Sequence, residues 1–151
     1  GRKVIYIDTG EGEFQAGKAK KRIHEMAHLQ GNINYDHFEY LQLRSLDTNA
    51  LRLAAIDYLF RTEENIGYMV IDGIADVASK GVNDEEEATA IASKLLKWTA
   101  EYNCHITVVL HENKHDRNAK GHLGQYLVQK SETVLSPKKS ENNKDITEIT
   151  P

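Results

Sequence analysis

Short apolar runs alternate with longer segments of helical periodicity along most of the chain, and this alternation limits the folds available to it. Four runs have the length and composition of strands: residues 3–8, 38–43, 68–73 and 105–110. Strands that are separated by a helix usually pair in parallel, because a parallel connection needs a long crossover. The pattern therefore predicts an α/β domain in three layers, with a mostly parallel sheet between helices.

Four segments show the spacing of apolar residues that is typical of amphipathic helices. They cover residues 14–29, 51–60, 84–102 and 123–130. We expect Asp47 or Thr48 to cap the second helix and Asn83 the third, since short polar side chains accept hydrogen bonds from free backbone N–H groups. Asp84 and the three glutamates after it fill the first turn of the third helix, where the helix dipole favours negative charge.

Two further segments, residues 132–136 and 145–149, predict a closing antiparallel pair of strands. The length of 151 residues is that of one domain. Because the chain opens inside a strand, we expect a single domain, residues 1–151, that is truncated at both ends. The only cysteine, Cys104, excludes a disulfide framework and indicates a reducing, cytoplasmic compartment. No apolar run approaches the roughly 18 residues of a membrane span, so we expect no membrane partner.

Polar side chains follow three of the predicted strands at the points where they end. They are the stretch Asp8-Thr9-Gly10-Glu11, Asp72 and His111. Ligands of open α/β sheets bind at the carboxyl ends of the strands. A carboxylate such as Asp72, after four apolar residues, can hold Mg²⁺ directly or through water beside a triphosphate. The alternative interpretation of Asp72 is a turn residue or a helix cap.

The order of these elements resembles the RecA-like ATPases, and within them the RepA-type hexameric helicase group from plasmids and mobile elements. The likeness lies in residues 4–9, 68–76 and 108–114 and extends over nearly the whole chain. It implies that Asp72 is the Walker B aspartate that holds Mg²⁺ and that His111 is the polar sensor of the γ-phosphate. The family's water-activating glutamate after Asp-Thr is replaced by Gly10, and Glu11, one place later, is the candidate to serve in its place.

The resemblance also implies partners. In the family, the loop beyond the third of these runs can reach DNA or the nucleotide of a neighbouring subunit, and here it carries Lys114, Arg117 and Lys120. Because the formal net charge is −4, any contact with DNA requires a local basic patch of this kind. The expected partners are therefore single-stranded DNA and like subunits. The alternative for this loop is a solvated surface segment without a partner.

The sequence contains no G-x-x-x-x-G-K-[ST] motif. The backbone amides and lysine of that motif cradle the β- and γ-phosphates of ATP, so we expect no hydrolysis by this chain alone. ATP and Mg²⁺ are expected as cofactors of an intact parent, an ATPase that acts on DNA in replication or mobile-element transfer. A non-catalytic RecA-like regulatory or assembly module is the second hypothesis.

The missing motif also has a structural consequence. In RecA-like sheets, the strand that leads into the phosphate loop lies between the Walker B strand and the sensor strand. Without it, two strand edges would be left without hydrogen-bond partners. We therefore expect that these two strands pair directly, or that another segment fills the gap.

One motif indicates a different chemistry. His24, Glu25 and His28 match H-E-x-x-H, in which two imidazoles one helical turn apart bind zinc and the glutamate acts as general base. The metzincin extension of this motif fails at Asn34, where the third ligand should stand. A zinc hydrolase is therefore a remote third hypothesis.

The apolar residues of the same segment bear on that hypothesis. Ile23, Met26 and Ala27 form a stripe that predicts the buried face of the helix. His24 and His28 flank this stripe, so we expect both imidazoles to face water.

Overall fold

The structure, a computed structural model, describes residues 1–31, 33–112, 119–140 and 146–150. Its centre is a sheet of four parallel strands: β1 (Lys3–Asp8), β2 (Phe38–Gln42), β3 (Ile66–Asp72) and β4 (His105–Val109). The strand order is β2-β1-β3-β4, so β2 and β4 lie at the edges. All four predicted runs form strands, and the expected α/β fold with a mostly parallel sheet is confirmed.

The four predicted helices are present with shifted ends: α1 (Glu13–Met26), α2 (Asn49–Thr62), α3 (Glu85–Tyr102) and α4 (Gly121–Lys130). Thr48 caps α2 by accepting a hydrogen bond from the backbone N–H of Leu51 at 3.2 Å. The expectation that Asn83 caps α3 is wrong. Asp84 is the cap, because its carboxylate accepts the N–H of Glu87 at 2.8 Å and so reaches the free donors of the first turn.

One face of the sheet is covered by helices and holds the core. Ile5 and Ile7 of β1 and Met69 and Ile71 of β3 are fully buried on this face. The helices contribute large apolar side chains to the same cluster, among them Ile56, Phe60, Ile91, Leu95, Trp98 and Leu123. The rings of Phe60 in α2 and Trp98 in α3 stack with their centroids 4.7 Å apart. This stack joins α2 to α3 over the sheet.

The opposite face of the sheet carries a different set of side chains. Because side chains alternate along a strand, Tyr6 and Asp8 of β1 point away from the core isoleucines. Tyr6 pairs in register with Tyr40 of β2 and Val70 of β3, whereas Asp8 pairs with Gln42 of β2 and Asp72 of β3. We call this the tyrosine face. It brings polar groups of three strands together near the carboxyl ends of the strands.

The strands β3 and β4 pair directly with each other. The register runs from Tyr68 opposite His105 to Asp72 opposite Val109. No strand lies between them, which agrees with the expected direct closure of the gap. Their parallel hydrogen bonds satisfy the backbone groups along the facing edges of β3 and β4.

A separate pair of antiparallel strands follows the last helix, β5 (Ser136–Lys139) and β6 (Thr147–Thr150). The expected C-terminal pair is confirmed, but it begins four residues later than predicted in its first strand. Val134 and Leu135 precede the pairing and are exposed, so their apolar character does not mark a strand here. Within the described part of the chain, no helix has the length and apolar character needed to span a bilayer.

Candidate functional site

The predicted site residues of the sheet lie at its carboxyl edge. Asp8 and Asp72 are register partners at the ends of the adjacent strands β1 and β3. Val109, at the end of β4, is the register partner of Asp72, and His111 follows two residues later. Because the strands are parallel, Asp72 and His111 lie at the same edge of the sheet. This is the arrangement that a site shared by these residues requires.

Asp72 is held by a tyrosine on the neighbouring strand. The hydroxyl of Tyr6 donates a hydrogen bond of 2.6 Å to Asp72 Oδ2. Burial, together with this bond and the charge of Asp72, raises the pKa of Tyr6 well above the ordinary value of 10.0, so the hydroxyl stays a donor throughout the physiological range. The other oxygen, Oδ1, has no hydrogen-bond partner among the described residues. Asp72 therefore presents one fixed and one available oxygen.

Asp8 is held in a similar way but is fully engaged. Tyr40 donates a hydrogen bond of 2.7 Å to Asp8 Oδ2. Asp8 Oδ1 accepts the backbone N–H groups of Gly10 and Glu11 at 3.0 and 2.8 Å. The side chain is buried, with 3% of the residue exposed. Since both oxygens accept hydrogen bonds and the side chain is buried, Asp8 fixes the loop that carries Glu11 and is less available to a ligand than Asp72.

The two tyrosines also contact each other. The rings of Tyr6 and Tyr40 are stacked with centroids 5.0 Å apart and an angle of 5° between their planes. Burial is the largest cause that raises the pKa of Tyr40 as well, followed by its hydrogen bond to Asp8. The stack joins the two tyrosine–aspartate pairs into one unit across β1, β2 and β3, and this unit orients both carboxylates.

Thr9 connects the loops that follow β1 and β3. Its Oγ1 accepts the N–H of Gly73 at 2.8 Å and donates to Asp76 Oδ2 at 2.8 Å. Its own backbone N–H donates to the carbonyl of Asp72 at 2.7 Å. The peptide bond between Asp72 and Gly73 is cis. Thr9 is 2% exposed, so the two loops are joined through a buried hydroxyl.

Glu11 lies at the entrance of this edge. It is exposed, and the loop around it borders an open groove that is also lined by Gln42 and Arg44. The guanidinium of Arg44 donates to the carbonyl of Gly10 at 3.0 Å and so fixes the loop from the side of β2. The shift of the glutamate to position 11 therefore leaves its side chain at the same edge as Asp72, with its backbone oriented by Asp8.

The remaining predicted residues are only partly within the described structure. His111 is exposed after β4, and Lys120 is exposed immediately before α4. Lys114 and Arg117 lie outside the described residues. The predicted cationic loop is thus represented in the structure by its last lysine.

The H-E-x-x-H segment does not form a helical zinc site. The helix α1 ends at Met26, and Ala27 is its C-cap. His28 lies beyond the helix with a positive φ of 59°, so the two imidazoles do not share a helix face. Among the residues that the structure describes, no group of three His, Cys, Asp or Glu side chains is placed to hold a metal ion.

The expectation that both histidines face water is wrong for His24, which is fully buried. Its ring makes edge contacts with Tyr35 and Phe38 at centroid distances of 5.4 and 5.2 Å. The prediction that Ile23, Met26 and Ala27 form the buried face of the helix is also wrong, because Met26 is 73% exposed. The physical reason is that the chain after α1 folds back and provides an aromatic pocket for His24, which the periodicity of α1 alone does not reveal.

The site contains residues that sequence reasoning missed. The sequence pattern predicts no role for Tyr6, Tyr40 or Thr9, and it gives Asp8 only as the polar end of a strand. A signal was present in the pattern of β1, where Tyr6 and Asp8 alternate with isoleucines and so share one face. The pairing of Tyr40 with Asp8 depends on the strand register, which the sequence does not give.

Comparison with known proteins agrees with this architecture. A solved structure, the crystal structure of the RadB recombinase, matches with a TM-score of 0.52 and 21% sequence identity over 83% of this chain and 60% of that one. This likeness shows the fold: the chain has a RecA-like ATPase fold. The chain thus spans 60% of the length of the RadB structure.

The family follows from a second comparison. The family profile described as an AAA domain matches residues 1–117. This chain belongs to that AAA domain family. Among curated proteins, none matches the sequence significantly.

Proposed function

We propose that this chain is the Mg²⁺-binding part of a RecA-like ATPase that acts on DNA, of the RepA-type helicase group, and that Asp72 is its metal ligand. The observation that carries the proposal is the state of Asp72. Its Oδ2 is held by Tyr6 at 2.6 Å, whereas Oδ1 has no hydrogen-bond partner among the described residues. A carboxylate oxygen fixed in this manner is a suitable ligand for a hard cation.

The other residues of the edge support roles beside the metal. Mg²⁺, when bound with a nucleotide, neutralises charge on the phosphate oxygens. Glu11, on the loop fixed by Asp8, would orient the attacking water, and His111 would contact the terminal phosphate. Lys114, Arg117 and Lys120 would contact DNA or the neighbouring subunit. Like subunits and DNA are therefore the partners that the proposal requires.

Asp72 offers one ligand position for the metal, whereas the sequence lacks the groups that bind the phosphates of ATP. A phosphate cradle needs a run of backbone amides and a lysine, and the G-x-x-x-x-G-K-[ST] motif that provides them is absent. In this proposal the phosphate loop is supplied by another part of the parent protein. The chain by itself is then inactive towards ATP.

Two measurements test the proposal. The purified chain should show no Mg²⁺-dependent ATP turnover, and measurable turnover would contradict the proposed inactivity. In the product of the complete natural gene, Asp72→Asn should lower ATP turnover by about a hundredfold or more. Glu101→Gln, an equivalent change on the exposed surface of α3, should leave turnover unchanged. Equal turnover of the two variants would exclude Asp72 as the metal ligand.

A non-catalytic assembly module is the second candidate. It is favoured by the direct pairing of β3 with β4 and by Gly10 in place of the family's glutamate. The two candidates differ in one observation, namely whether the natural gene encodes a phosphate loop upstream of Arg2. Its absence there would favour the assembly module.

A further inference from the structure

The helix α1 has an inner and an outer face. Ala16 and His24 are buried on the inner face, towards β2. The outer face is defined by Phe14, Lys18, Lys21 and Arg22, all of which are exposed. At 3.6 residues per turn, these four positions fall on one side of the helix. The outer face is therefore an accessible surface on a helix that is anchored from behind.

An exposed aromatic ring forms part of this surface. Phe14 is 72% exposed, although phenylalanine is among the residues most often buried in folded proteins. The ammonium group of Lys18 lies 4.2 Å from the centroid of the Phe14 ring, within the range of a cation–π contact. One side of the ring is thus covered by a cation, and most of the residue remains accessible to solvent.

The charge of the outer face is opposite to that of the whole chain. The chain has a formal net charge of −4. The outer face, by contrast, carries three cations, Lys18, Lys21 and Arg22, and one neighbouring acid, Glu25. The ion pair between Lys21 and Glu25 is long, 3.7 Å, and its side chains are 61% and 60% exposed, so it is weak and easily exchanged for another anion. Arg22 makes no ion pair or hydrogen bond with any described residue.

This combination fits one class of partner. Proteins that bind single-stranded nucleic acid combine cations that contact the backbone phosphates with aromatic rings on which bases stack. Lys18 and Arg22 are one turn apart, about 6 Å along the helix axis, and can contact successive anionic groups beside the ring of Phe14. Single-stranded nucleic acid places a flat base beside every anionic group of its backbone, which an acidic peptide does not, and a duplex hides the faces of its bases.

We propose that the outer face of α1 binds single-stranded nucleic acid, with Phe14 stacking on a base and Lys18 and Arg22 contacting phosphates. None of its four residues is among those assigned to the carboxyl edge or to the loop that carries Lys120. Binding at this surface requires neither ATP nor Mg²⁺, so its test is independent of the proposed metal site.

The test is fluorescence anisotropy of a labelled oligothymidylate of about 20 nucleotides with the purified chain at low and moderate salt. The charge-reversal variant Lys18→Glu/Arg22→Glu should weaken binding about tenfold or more and flatten the dependence of affinity on salt. Phe14→Ala should weaken binding about fivefold or more, with a salt dependence close to that of the native chain. Phe14→Trp keeps a ring that can stack on a base, so this variant should bind the oligonucleotide as tightly as the native chain.

Matched variants separate this surface from the rest of the protein. Lys97→Glu changes a lysine on α3 whose side chain is 73% exposed. This variant should bind the oligonucleotide within about twofold of the native chain. Thermal melting should be nearly unchanged in the Phe14 and Lys18/Arg22 variants, because these side chains are exposed.

Several outcomes would overturn the proposal. They are the absence of binding at low salt, an effect of Lys97→Glu as large as that of Lys18→Glu/Arg22→Glu, and normal binding by Phe14→Ala. Equal binding of duplex DNA would exclude base stacking, and equal competition by polyglutamate would indicate an acidic protein partner instead. None of these outcomes bears on metal binding at Asp72.

Discussion

The two faces of the central sheet differ in what their side chains contact. On β1, Ile5 and Ile7 are fully buried under the helices, whereas Tyr6 and Asp8 point to the tyrosine face. There the contacts are directed hydrogen bonds, such as that of Tyr6 to Asp72 at 2.6 Å. The core face is held by non-directional apolar burial, which is tolerant of small changes in geometry. The tyrosine face is held by bonds whose atoms have fixed positions, and these suit a site that must present an oxygen to a ligand.

The largest effect is expected on the core face. Phe60 is 1% exposed and stacks on Trp98. Phe60→Ala should lower the free energy of unfolding by about 3–5 kcal/mol, because it removes a large buried ring and leaves a cavity. Urea denaturation measures this loss. Tyr58→Ala on the same helix is the control, since Tyr58 is 65% exposed, and should change the free energy of unfolding by under about 0.5 kcal/mol.

The next effect is expected at Asp8. Asp8→Ala should lower the free energy of unfolding by about 2–4 kcal/mol, because it leaves the hydroxyl of Tyr40 and the N–H groups of Gly10 and Glu11 without their acceptor. Asp8→Asn keeps acceptor capacity and should cost less. If both variants unfolded at the same urea concentration as the native chain, the loop carrying Glu11 would not be fixed by Asp8.

A smaller effect, with a distinctive pH dependence, is expected from the tyrosines. The pKa of each hydroxyl is raised above its ordinary value of 10.0 in the folded protein by burial and by its aspartate. Above pH 10 the unfolded chain releases these protons while the folded chain retains them, so the stabilisation is complete below pH 10 and is lost as the pH rises towards the folded pKa.

Tyr6→Phe and Tyr40→Phe test this directly. Each should lower the free energy of unfolding at neutral pH by about 1.5 kcal/mol, the usual contribution of a hydrogen bond to a charged group. The double variant should lose less stability between pH 10 and 12 than the native chain does. The two tyrosine–aspartate hydrogen bonds would be contradicted by one result. In that case the free energy of unfolding of the native chain would fall no more steeply between pH 10 and 12 than that of the double variant.

The smallest effect on stability is expected at Asp72 itself. Asp72→Asn retains an oxygen that can accept the hydrogen bond from Tyr6, so the free energy of unfolding should change by under about 1 kcal/mol. A loss comparable to that of Asp8→Ala would make Asp72 a structural residue. That result would remove the contrast between an engaged Asp8 and an available Asp72.

The parts that sequence reasoning predicted are those with strong local signals. The apolar runs of β1, β3 and β4 are long enough to mark strands, and the acidic first turn of α3 marks its start within one residue. The direct pairing of β3 with β4 is one of the two arrangements expected from the absence of the phosphate-loop motif. In each case the information lies in neighbouring residues or in a simple requirement for backbone hydrogen bonds.

The parts that were missed depend on distant contacts. The burial of His24 is determined by Tyr35 and Phe38, which pack on it only after the chain has reversed direction beyond α1. The bond between Tyr40 and Asp8 requires the register of β1 with β2. Periodicity within one segment cannot give either of these, because both are properties of two elements packed together.

The most direct test of the account is Mn²⁺ titration of the chain, followed by NMR of its backbone amides, with Mn²⁺ as a stand-in for Mg²⁺. We expect paramagnetic broadening centred on the loops after β1 and β3, with no such broadening in Asp72→Asn and full broadening in Glu101→Gln. Broadening that persists unchanged in Asp72→Asn, or that is centred on the acidic start of α3 instead, would contradict the assignment of Asp72 as the metal ligand.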